Sequence, residues 1–181
     1  VTKDSHFKAL HSLDSPASQR MGRLLGIDNP AASGKCLACH ALSVPDDQKA
    51  REFDVEGVSC ESCHGPSSAW LESHMLQGWT PEKSYALGML NLSDPASRSE
   101  KCLTCHSGTP EKAVDHKMIA AGHPDLVFEL DSYSAIQPPH WKPATDPNYE
   151  VRLWAVNQAV QLRESLKKLV RHTQGGSWPE F

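Results

Sequence analysis

The 181-residue sequence lacks several features that define common protein classes. It has no run or stripe of lysine and arginine, and its formal net charge is −4, so a nucleic-acid partner is not expected. No stretch approaches the roughly 20 apolar residues that cross a bilayer. No basic segment followed by an apolar one opens the chain. We therefore expect neither a membrane span nor a signal peptide within this chain.

Apolar side chains are also scarce. They make up 39% of the residues, aromatic side chains make up 7%, and the mean hydropathy is −0.48. This composition is thin for the apolar core of a chain of this length. We therefore expect the interior to be completed by large apolar cofactors, and we expect the chain not to fold stably without them.

The six cysteines, in contrast, all belong to one repeated motif, and no cysteine lies outside it. All belong to three copies of a Cys-x-x-Cys-His motif at residues 36–40, 60–64 and 102–106. Positions i, i+3 and i+4 share one face of a helical turn, so two thiols can bond the vinyl groups of a haem while the histidine binds its iron. This spacing is the attachment signature of c-type haem. It predicts three haems, held by Cys36, Cys39, Cys60, Cys63, Cys102 and Cys105, with His40, His64 and His106 as iron ligands.

Two other uses of these cysteines fit the pattern less well. A structural zinc site usually combines two such pairs. Three pairs, each followed by histidine, cannot be grouped evenly into sites of this kind. A disulfide within each pair would close a small strained ring. Covalent haem attachment remains the best interpretation.

Capping residues followed by proline predict where several helices begin. The four starts are Ser15-Pro16, Thr80-Pro81, Asp94-Pro95 and Thr109-Pro110. The first of these helices should end near Gly26 and the last near Gly122. Residues 136–147 contain four prolines and are expected to form an extended linker.

One long helix is predicted from about residue 148 to residue 172, ending at Gly175-Gly176. Its apolar residues recur at helical spacing and should pack on the core: Val151, Ala155, Val156, Ala159, Leu162, Leu166, Leu169 and Val170. Its charged residues should cover the outer face: Arg152, Arg163, Glu164, Lys167 and Lys168. No alternating apolar run argues for a sheet.

The predicted fold class is therefore mainly α with long irregular loops and little or no sheet, organised around stacked haems. Residues 1–147 should form the three-haem core. Residues 148–181 should form an amphipathic helix and tail that pack on this core within a single domain.

The second axial ligand of each iron must come from elsewhere or be absent. Seven histidines lie outside the motifs: His6, His11, His74, His116, His123, His140 and His172. We expect His172, near a helix C-terminus, and His11 to be surface residues. Four methionines could also bind iron but equally suit packing in an interior. They are Met21, Met75, Met89 and Met118.

Residues 57–66, followed by His74, closely resemble the multihaem c-type cytochromes. The nearest resemblance is to the tetrahaem cytochromes that accept electrons from hydroxylamine oxidoreductase in ammonia oxidisers. Residues 5–10 are similar to the segment that follows the first haem motif of that family. Residues 115–124, 128–130 and 138–141 resemble larger relatives, and residues 178–181 resemble the lead-in to a further haem motif.

This resemblance implies a set of distal ligands. His6 would serve the haem on Cys102 and Cys105. His116 and His123 would serve the two earlier haems, in an order that the resemblance leaves open. His74 matches a ligand whose haem precedes the first motif of this chain. It is therefore reassigned to one of the three haems, unused, or a ligand to a haem on another segment or chain, and His140 is in a similar position.

Electron transfer through mostly bis-histidine haems is the leading functional hypothesis. The main alternative is an enzyme whose haem on Cys36 and Cys39 stays open for a small nitrogen or sulfur species. Against catalysis, no motif ends in lysine and no basic cluster surrounds one. A third hypothesis is a wiring subunit that contacts neighbouring haem subunits. We expect redox proteins as partners and, because such haems are attached outside the cytoplasm, a periplasmic or extracellular location.

Overall fold

The computed structural model describes residues 3–42, 44–49, 57–109, 112–141 and 144–174. Across these ranges the chain forms helices and irregular connections, with no β-strand, which confirms the mainly-α fold class. The α-helices are α1 (Pro16–Leu25), α2 (Gly34–His40), α3 (Cys60–His64), α4 (Pro81–Ala86), α5 (Pro95–His106), α6 (His116–Ala120), α7 (Leu130–Ile136) and α8 (Tyr149–Gln174). Short 3₁₀ helices cover Ser5–Lys8, His11–Asp14, Pro30–Ala32, Asp46–Gln48 and Ser73–Met75.

Three of the predicted helix starts are confirmed at α1, α4 and α5. The hydroxyl oxygen of Ser15 accepts a hydrogen bond of 3.2 Å from the backbone N–H of Ser18, so one open donor of the first turn of α1 is satisfied. This helix ends at Gly26, whose φ of 69° lies in the left-handed region that glycine adopts without steric cost. Its predicted end near Gly26 is therefore also confirmed.

The start predicted at Thr109-Pro110 is wrong. Thr109 instead forms an isolated bridge with Lys112, and α6 begins only at His116. Asp115 supplies the cap, because its carboxylate accepts a hydrogen bond of 2.8 Å from the backbone N–H of Met118. The predicted helix end near Gly122 is confirmed, since Gly122 follows α6 with a φ of 113°.

The chain divides into two compact units. The first comprises Val1–Leu92 and Val114–Asp125, and the second comprises Ser93–Ala113 and Leu126–Phe181. The first unit carries the motifs at residues 36–40 and 60–64, and the second carries the motif at residues 102–106. The expectation of a single domain with a division at residue 148 stays a prediction.

Close backbone approaches bring the haem motifs of the first unit near other segments. A Cβ atom on Gly57, just before the second motif, would lie only 2.9 Å from the carbonyl oxygen of Phe7. The 3₁₀ helix that carries His6 therefore packs against the lead-in to Cys60. Lys35, which precedes Cys36, forms a 3.1 Å ion pair with Asp115. This contact joins the first motif helix to the start of α6.

In the second unit α5 and α7 pack against α8. Leu103 of the third motif lies in a buried apolar cluster with Phe128, Leu130, Leu153 and Val160. The core is thus built directly on the helix that carries Cys102 and Cys105.

The long helix α8 confirms the predicted helix, but the predicted packing face is wrong except at Val156, which is partly buried against the apolar cluster of this unit. The buried side chains are Leu153, Asn157 and Val160, whereas Leu162 is 62% exposed and Leu166 is 52% exposed. Polar contacts hold the buried face: the Gln161 side chain donates to the Phe128 carbonyl at 3.0 Å, and Gln158 and Lys168 make similar contacts with Glu129 and Ser107. Both faces of α8 carry apolar residues, so periodicity could not decide between them.

The proline-rich segment is non-helical after Ile136 in its described parts, residues 137–141 and 144–147, in line with the predicted linker. Other predictions lie outside the described residues: the helix end at Gly175-Gly176 and the lead-in at residues 178–181. The side chain of His172 also lies outside what the structure describes.

Candidate haem-binding sites

Each Cys-x-x-Cys-His motif forms the end of a helix, and its histidine is the last helical residue. The residue after the histidine closes the turn in the same way in each motif. The N–H groups of Ala41, Gly65 and Ser107 donate to the carbonyl four residues earlier, at 3.0, 2.9 and 3.1 Å. The two thiols and the imidazole therefore lie on one helical turn, as the spacing predicts. No disulfide joins the six cysteines; Cys60 is exposed and the others are partly buried.

The first motif holds its histidine through hydrogen bonds at one ring nitrogen. The Nδ1 atom of His40 lies 2.9 Å from the carbonyl oxygen of Ala9 and 3.1 Å from the hydroxyl of Ser12. A carbonyl only accepts, so Nδ1 carries the proton and Nε2 keeps its lone pair for a metal. This donor arrangement fits a haem iron ligand.

His123 lies beside His40. Their ring centres are 6.5 Å apart and their ring planes are nearly perpendicular. Two imidazoles that bind one metal from opposite sides, with bonds of about 2.0 Å, place their ring centres roughly 6 Å apart. The Nδ1 atom of His123 donates to the Pro124 carbonyl at 2.7 Å, which again leaves Nε2 as the metal-binding nitrogen. The spacing of the two rings would leave room for one iron between them.

His64 of the second motif contacts an aromatic series. The ring of Trp70 lies edge-on to His64 at 6.4 Å and to His74 at 6.1 Å. His74 in turn lies 6.5 Å from Trp79, and its Nδ1 hydrogen bonds to the Leu71 carbonyl. The buried indole of Trp70 therefore contacts both His64 and His74, and His74 contacts two tryptophans.

His106 of the third motif packs on the core of the second unit. Its ring stacks on Phe128 at 4.8 Å and contacts Tyr133 edge-on at 5.3 Å. Stacking uses the face of the imidazole, whereas iron binding uses a nitrogen lone pair in the plane of the ring. The aromatic contacts thus orient His106 without occupying the lone pair that a metal needs.

The remaining candidate iron ligands lie in or near short helices. His6 donates from Nδ1 to the carboxylate of Asp4 at 2.9 Å, and His140 places Nδ1 3.3 Å from the Pro138 carbonyl. His116 opens α6 and is exposed, and His11 is also exposed. The proposed pairing of His6 with the haem on Cys102 and Cys105 joins residues of the two units and stays a prediction.

The carboxyl group of Asp115 lies near the first motif, where it pairs with Lys35. The Met118 N–H donates to this carboxylate and lowers its pKa below the ordinary value, and the Lys35 ammonium acts in the same direction against the effect of burial. The side chain that caps α6 is therefore ionised at neutral pH. It holds the first turn of the helix that begins with His116.

The methionines behave differently from one another. Met118 is buried at 6% exposure and packs as an interior side chain, whereas Met75 is 74% exposed. Met21 and Met89 are partly buried.

No group of three or more His, Cys, Asp or Glu side chains within the described ranges lies close enough to hold a metal ion. Among the helices that the structure describes, none is long and apolar enough to span a membrane.

The residues that orient the histidines were not identified from the sequence. Asp4, Leu71 and Pro138 lie two or three residues before their histidines, so a search for local acceptors would find them. Ala9 and Phe128 lie far along the chain from the rings they contact. Only the fold reveals these two contacts.

Comparison with known proteins adds one match. No curated protein and no solved structure matched the chain. Residues 2–65, about a third of the chain, match the family described as cytochrome c554 and c-prime. The matched segment contains His6 and the first two haem motifs. This similarity supports a multihaem c-type cytochrome in general, with covalently bound haem c and a role in haem-based electron transfer.

Proposed function

We propose that this protein transfers electrons through three covalently bound c-type haems, most or all of them bis-histidine ligated. Each haem would be attached by the two cysteines of one motif and ligated by His40, His64 or His106. The helical turns at the three motifs and the family match over residues 2–65 support this assignment. As a functional model we propose the tetrahaem acceptor of electrons from hydroxylamine oxidoreductase, which parts of the sequence resemble.

A bound haem supplies an iron that takes up and releases one electron. The chain determines how readily this happens through its ligands and their partners. A hydrogen bond from imidazole Nδ1 to a carbonyl or carboxylate makes Nε2 a stronger donor, which favours the oxidised iron. His40, His123 and His6 all have such a bond. We therefore expect low reduction potentials for the haems that they ligate.

The distal ligand of the first haem is proposed to be His123. The observation that carries this proposal is the 6.5 Å spacing of the His40 and His123 rings. Under the family resemblance His116 is then left for the haem on Cys60 and Cys63. His6 is proposed for the haem on Cys102 and Cys105, on the resemblance alone.

His74 is proposed as a further haem ligand. Its ring is held by Trp70, by Trp79 and by the Leu71 carbonyl, although the residue itself is exposed. An exposed histidine whose ring is held in this way is suited to bind the iron of a haem that is attached to another segment. We propose that His74 serves one of the three haems or a haem on another segment or chain, as the resemblance allows.

The alternative function requires an open iron on the haem of Cys36 and Cys39. The position of His123 beside His40 favours a six-coordinate iron at this haem and hence a carrier. We propose redox proteins as partners and a periplasmic or extracellular location, since haem is attached to such motifs outside the cytoplasm.

Electron paramagnetic resonance of the oxidised holoprotein tests the ligand set. His123→Ala should convert one haem from low spin to high spin, and added imidazole should restore the low-spin signal. His11→Ala, a change at an exposed histidine outside the proposed ligand set, should leave the spectrum unchanged. Three low-spin haems in His123→Ala would refute the assignment of this residue.

A second measurement separates a carrier from an enzyme. Carbon monoxide added to the reduced protein, or cyanide added to the oxidised protein, should leave the haem spectra unchanged. Binding by one haem in the unmodified protein would indicate an open iron and favour the enzymatic alternative.

A further inference from the structure

Asp4 binds both the ring and the backbone of His6 through one carboxylate oxygen. Its Oδ1 atom accepts a hydrogen bond from Nδ1 of His6 at 2.9 Å and another from the His6 backbone N–H at 3.0 Å. A carboxylate only accepts, so Nδ1 carries the proton and Nε2 is the metal-binding nitrogen. The second bond caps the 3₁₀ helix Ser5–Lys8. One side chain thus fixes the position and the ring orientation of a proposed iron ligand.

The helix that carries His6 is held against the rest of its unit. A Cβ atom on Gly57 would lie 2.9 Å from the carbonyl oxygen of Phe7 and 3.4 Å from that of His6. The backbone of both residues therefore packs against the lead-in to Cys60. The side chains of the pair are partly buried, with exposed fractions of 22% for Asp4 and 38% for His6. Water therefore screens the charge of Asp4 less than it would at the open surface.

The acceptor at His6 differs in charge from the acceptors at the first motif. Nδ1 of His40 and Nδ1 of His123 donate to backbone carbonyls, which are neutral. A hydrogen bond to an ionised acceptor is roughly twice as strong as one to a neutral acceptor. It draws the Nδ1 proton further from the ring, so Nε2 becomes a stronger donor to a metal. A stronger donor stabilises oxidised iron more than reduced iron.

We propose that Asp4 is a positioning residue that lowers the reduction potential of the haem ligated by His6 below the value that a neutral acceptor would give. This role rests on the proposed function, in which His6 is a distal ligand. Asp4 itself transfers neither an electron nor a proton. It holds the imidazole by one hydrogen bond and places a negative charge behind it. The chain thereby gives one haem a different potential from a haem whose ligands donate to carbonyls.

A purely structural role for Asp4 as a helix cap leads to a different expectation. Asparagine also caps helices, and its side-chain oxygen can accept the same two hydrogen bonds, but it carries no charge. Asp4→Asn should therefore keep the fold and remove only the charge. A cap alone would leave every reduction potential unchanged in this variant.

A redox titration of the holoprotein, followed by electron paramagnetic resonance, gives a potential for each low-spin haem. His6→Ala first identifies the haem concerned, because its low-spin signal should be replaced by a high-spin one. In Asp4→Asn the same haem should stay low spin, and its equilibrium constant for reduction should rise by about tenfold, or about 59 mV for a one-electron couple. The haem on Cys36 and Cys39 should keep its potential.

Asp14→Asn is the matched control. Asp14 is exposed at the end of the next 3₁₀ helix, so this change removes the same charge from the same unit without altering the bonds of His6. An unchanged potential in Asp4→Asn, or an equal shift in Asp14→Asn, would overturn the role of Asp4 and leave His6 as a ligand. Loss of haem or of helical circular dichroism in Asp4→Asn would assign Asp4 a structural role instead. Three low-spin haems in His6→Ala would overturn the ligand assignment of His6, and the role of Asp4 with it.

Discussion

Five histidines in the described structure have hydrogen bonds at the same ring nitrogen, Nδ1. Their partners are backbone carbonyls for four of them and a carboxylate for the fifth. The five are His6, His40, His74, His123 and His140. A ring held at Nδ1 has one orientation and presents Nε2 as the metal ligand. This shared geometry is the residue-scale basis for the proposed iron sites.

The sequence identified these histidines by counting, because three haems require ligands beyond the three motif histidines. It could not identify the pair of His40 and His123, which are far apart in the chain and meet only after folding. The contacts of His106 with Phe128 and Tyr133 depend on tertiary structure in the same way.

Lys168 is predicted to stabilise the third motif. Its ammonium donates to the Ser107 hydroxyl at 2.7 Å and to the Ser107 carbonyl, directly after His106. Burial lowers the pKa of this lysine, with the nearby Glu164 acting in the opposite direction. Lys168→Met should reduce the free energy of unfolding by about 2 kcal/mol, since hydrogen bonds to charged groups contribute more than neutral ones. Denaturant titration of the holoprotein measures this change.

The same substitution should lower the reduction potential of the haem on Cys102 and Cys105, because a nearby cation favours the reduced iron. Lys167→Met is the matched control. Lys167 lies on the exposed side of α8 and pairs with Glu164 at 2.9 Å, and such surface pairs contribute about 0–1 kcal/mol. Equal losses of stability in the two variants would contradict the role of Lys168.

At the scale of elements, the helices of the three motifs share one way of ending but differ in how they begin. Ser59 and Ser62 form a reciprocal capping box at α3, and Asp94 caps α5. Ser33 precedes α2 without a side-chain hydrogen bond. The common C-terminal turn follows from the Cys-x-x-Cys-His spacing, whereas each start depends on the residues that precede the motif.

Asp94 should contribute measurably to the stability of α5. Its carboxylate accepts from the backbone N–H of Ser97 at 2.8 Å and from the Ser97 hydroxyl at 2.7 Å. Asp94→Ala should therefore lower the free energy of unfolding by about 1 kcal/mol at neutral pH. Ser33→Ala serves as a control at a start without such a bond, and denaturant titration of both variants should show a smaller loss for it.

The contribution of Asp94 should depend on pH. The Ser97 N–H, followed by the Ser97 hydroxyl, lowers the pKa of this carboxyl in the folded protein. A depressed folded pKa means that the stabilisation is complete above the unfolded pKa of about 3.9 and is lost as the pH falls through the folded value. The stabilities of the unmodified protein and Asp94→Ala should converge in that acidic range. A difference that stays constant down to the lowest pH measured would contradict this account.

Helix α8 shows the limit of pattern analysis for an element. The apolar period predicted a helix, and the helix spans Tyr149–Gln174. The packing face was decided instead by Leu103, Phe128 and Leu130, which form a buried cluster with Leu153 and Val160. Apolar periodicity predicts that a segment forms a helix. It does not predict which of two apolar faces of that helix is buried.

At the scale of the whole molecule, the apolar interior is small. Ten apolar side chains are buried among the described residues, and large ones such as Leu24, Leu76 and Ile136 are exposed by 66% or more. We predict that the protein expressed without haem-attachment machinery shows no cooperative thermal transition, because the proposed haems would complete its interior. The holoprotein should show such a transition. Cooperative unfolding of the haem-free chain would contradict this prediction.

The sequence by itself predicts the covalent chemistry proposed for this protein, because attachment of a haem depends on spacing within one helical turn. It also determined the helical class and three of the four helix starts predicted from caps, since capping is local. The tertiary structure alone decided that His123 lies beside His40, that Trp70 contacts both His64 and His74, and which face of α8 is buried. These features arise from contacts between segments distant in sequence or between alternative faces of one helix, for which local spacing carries no information.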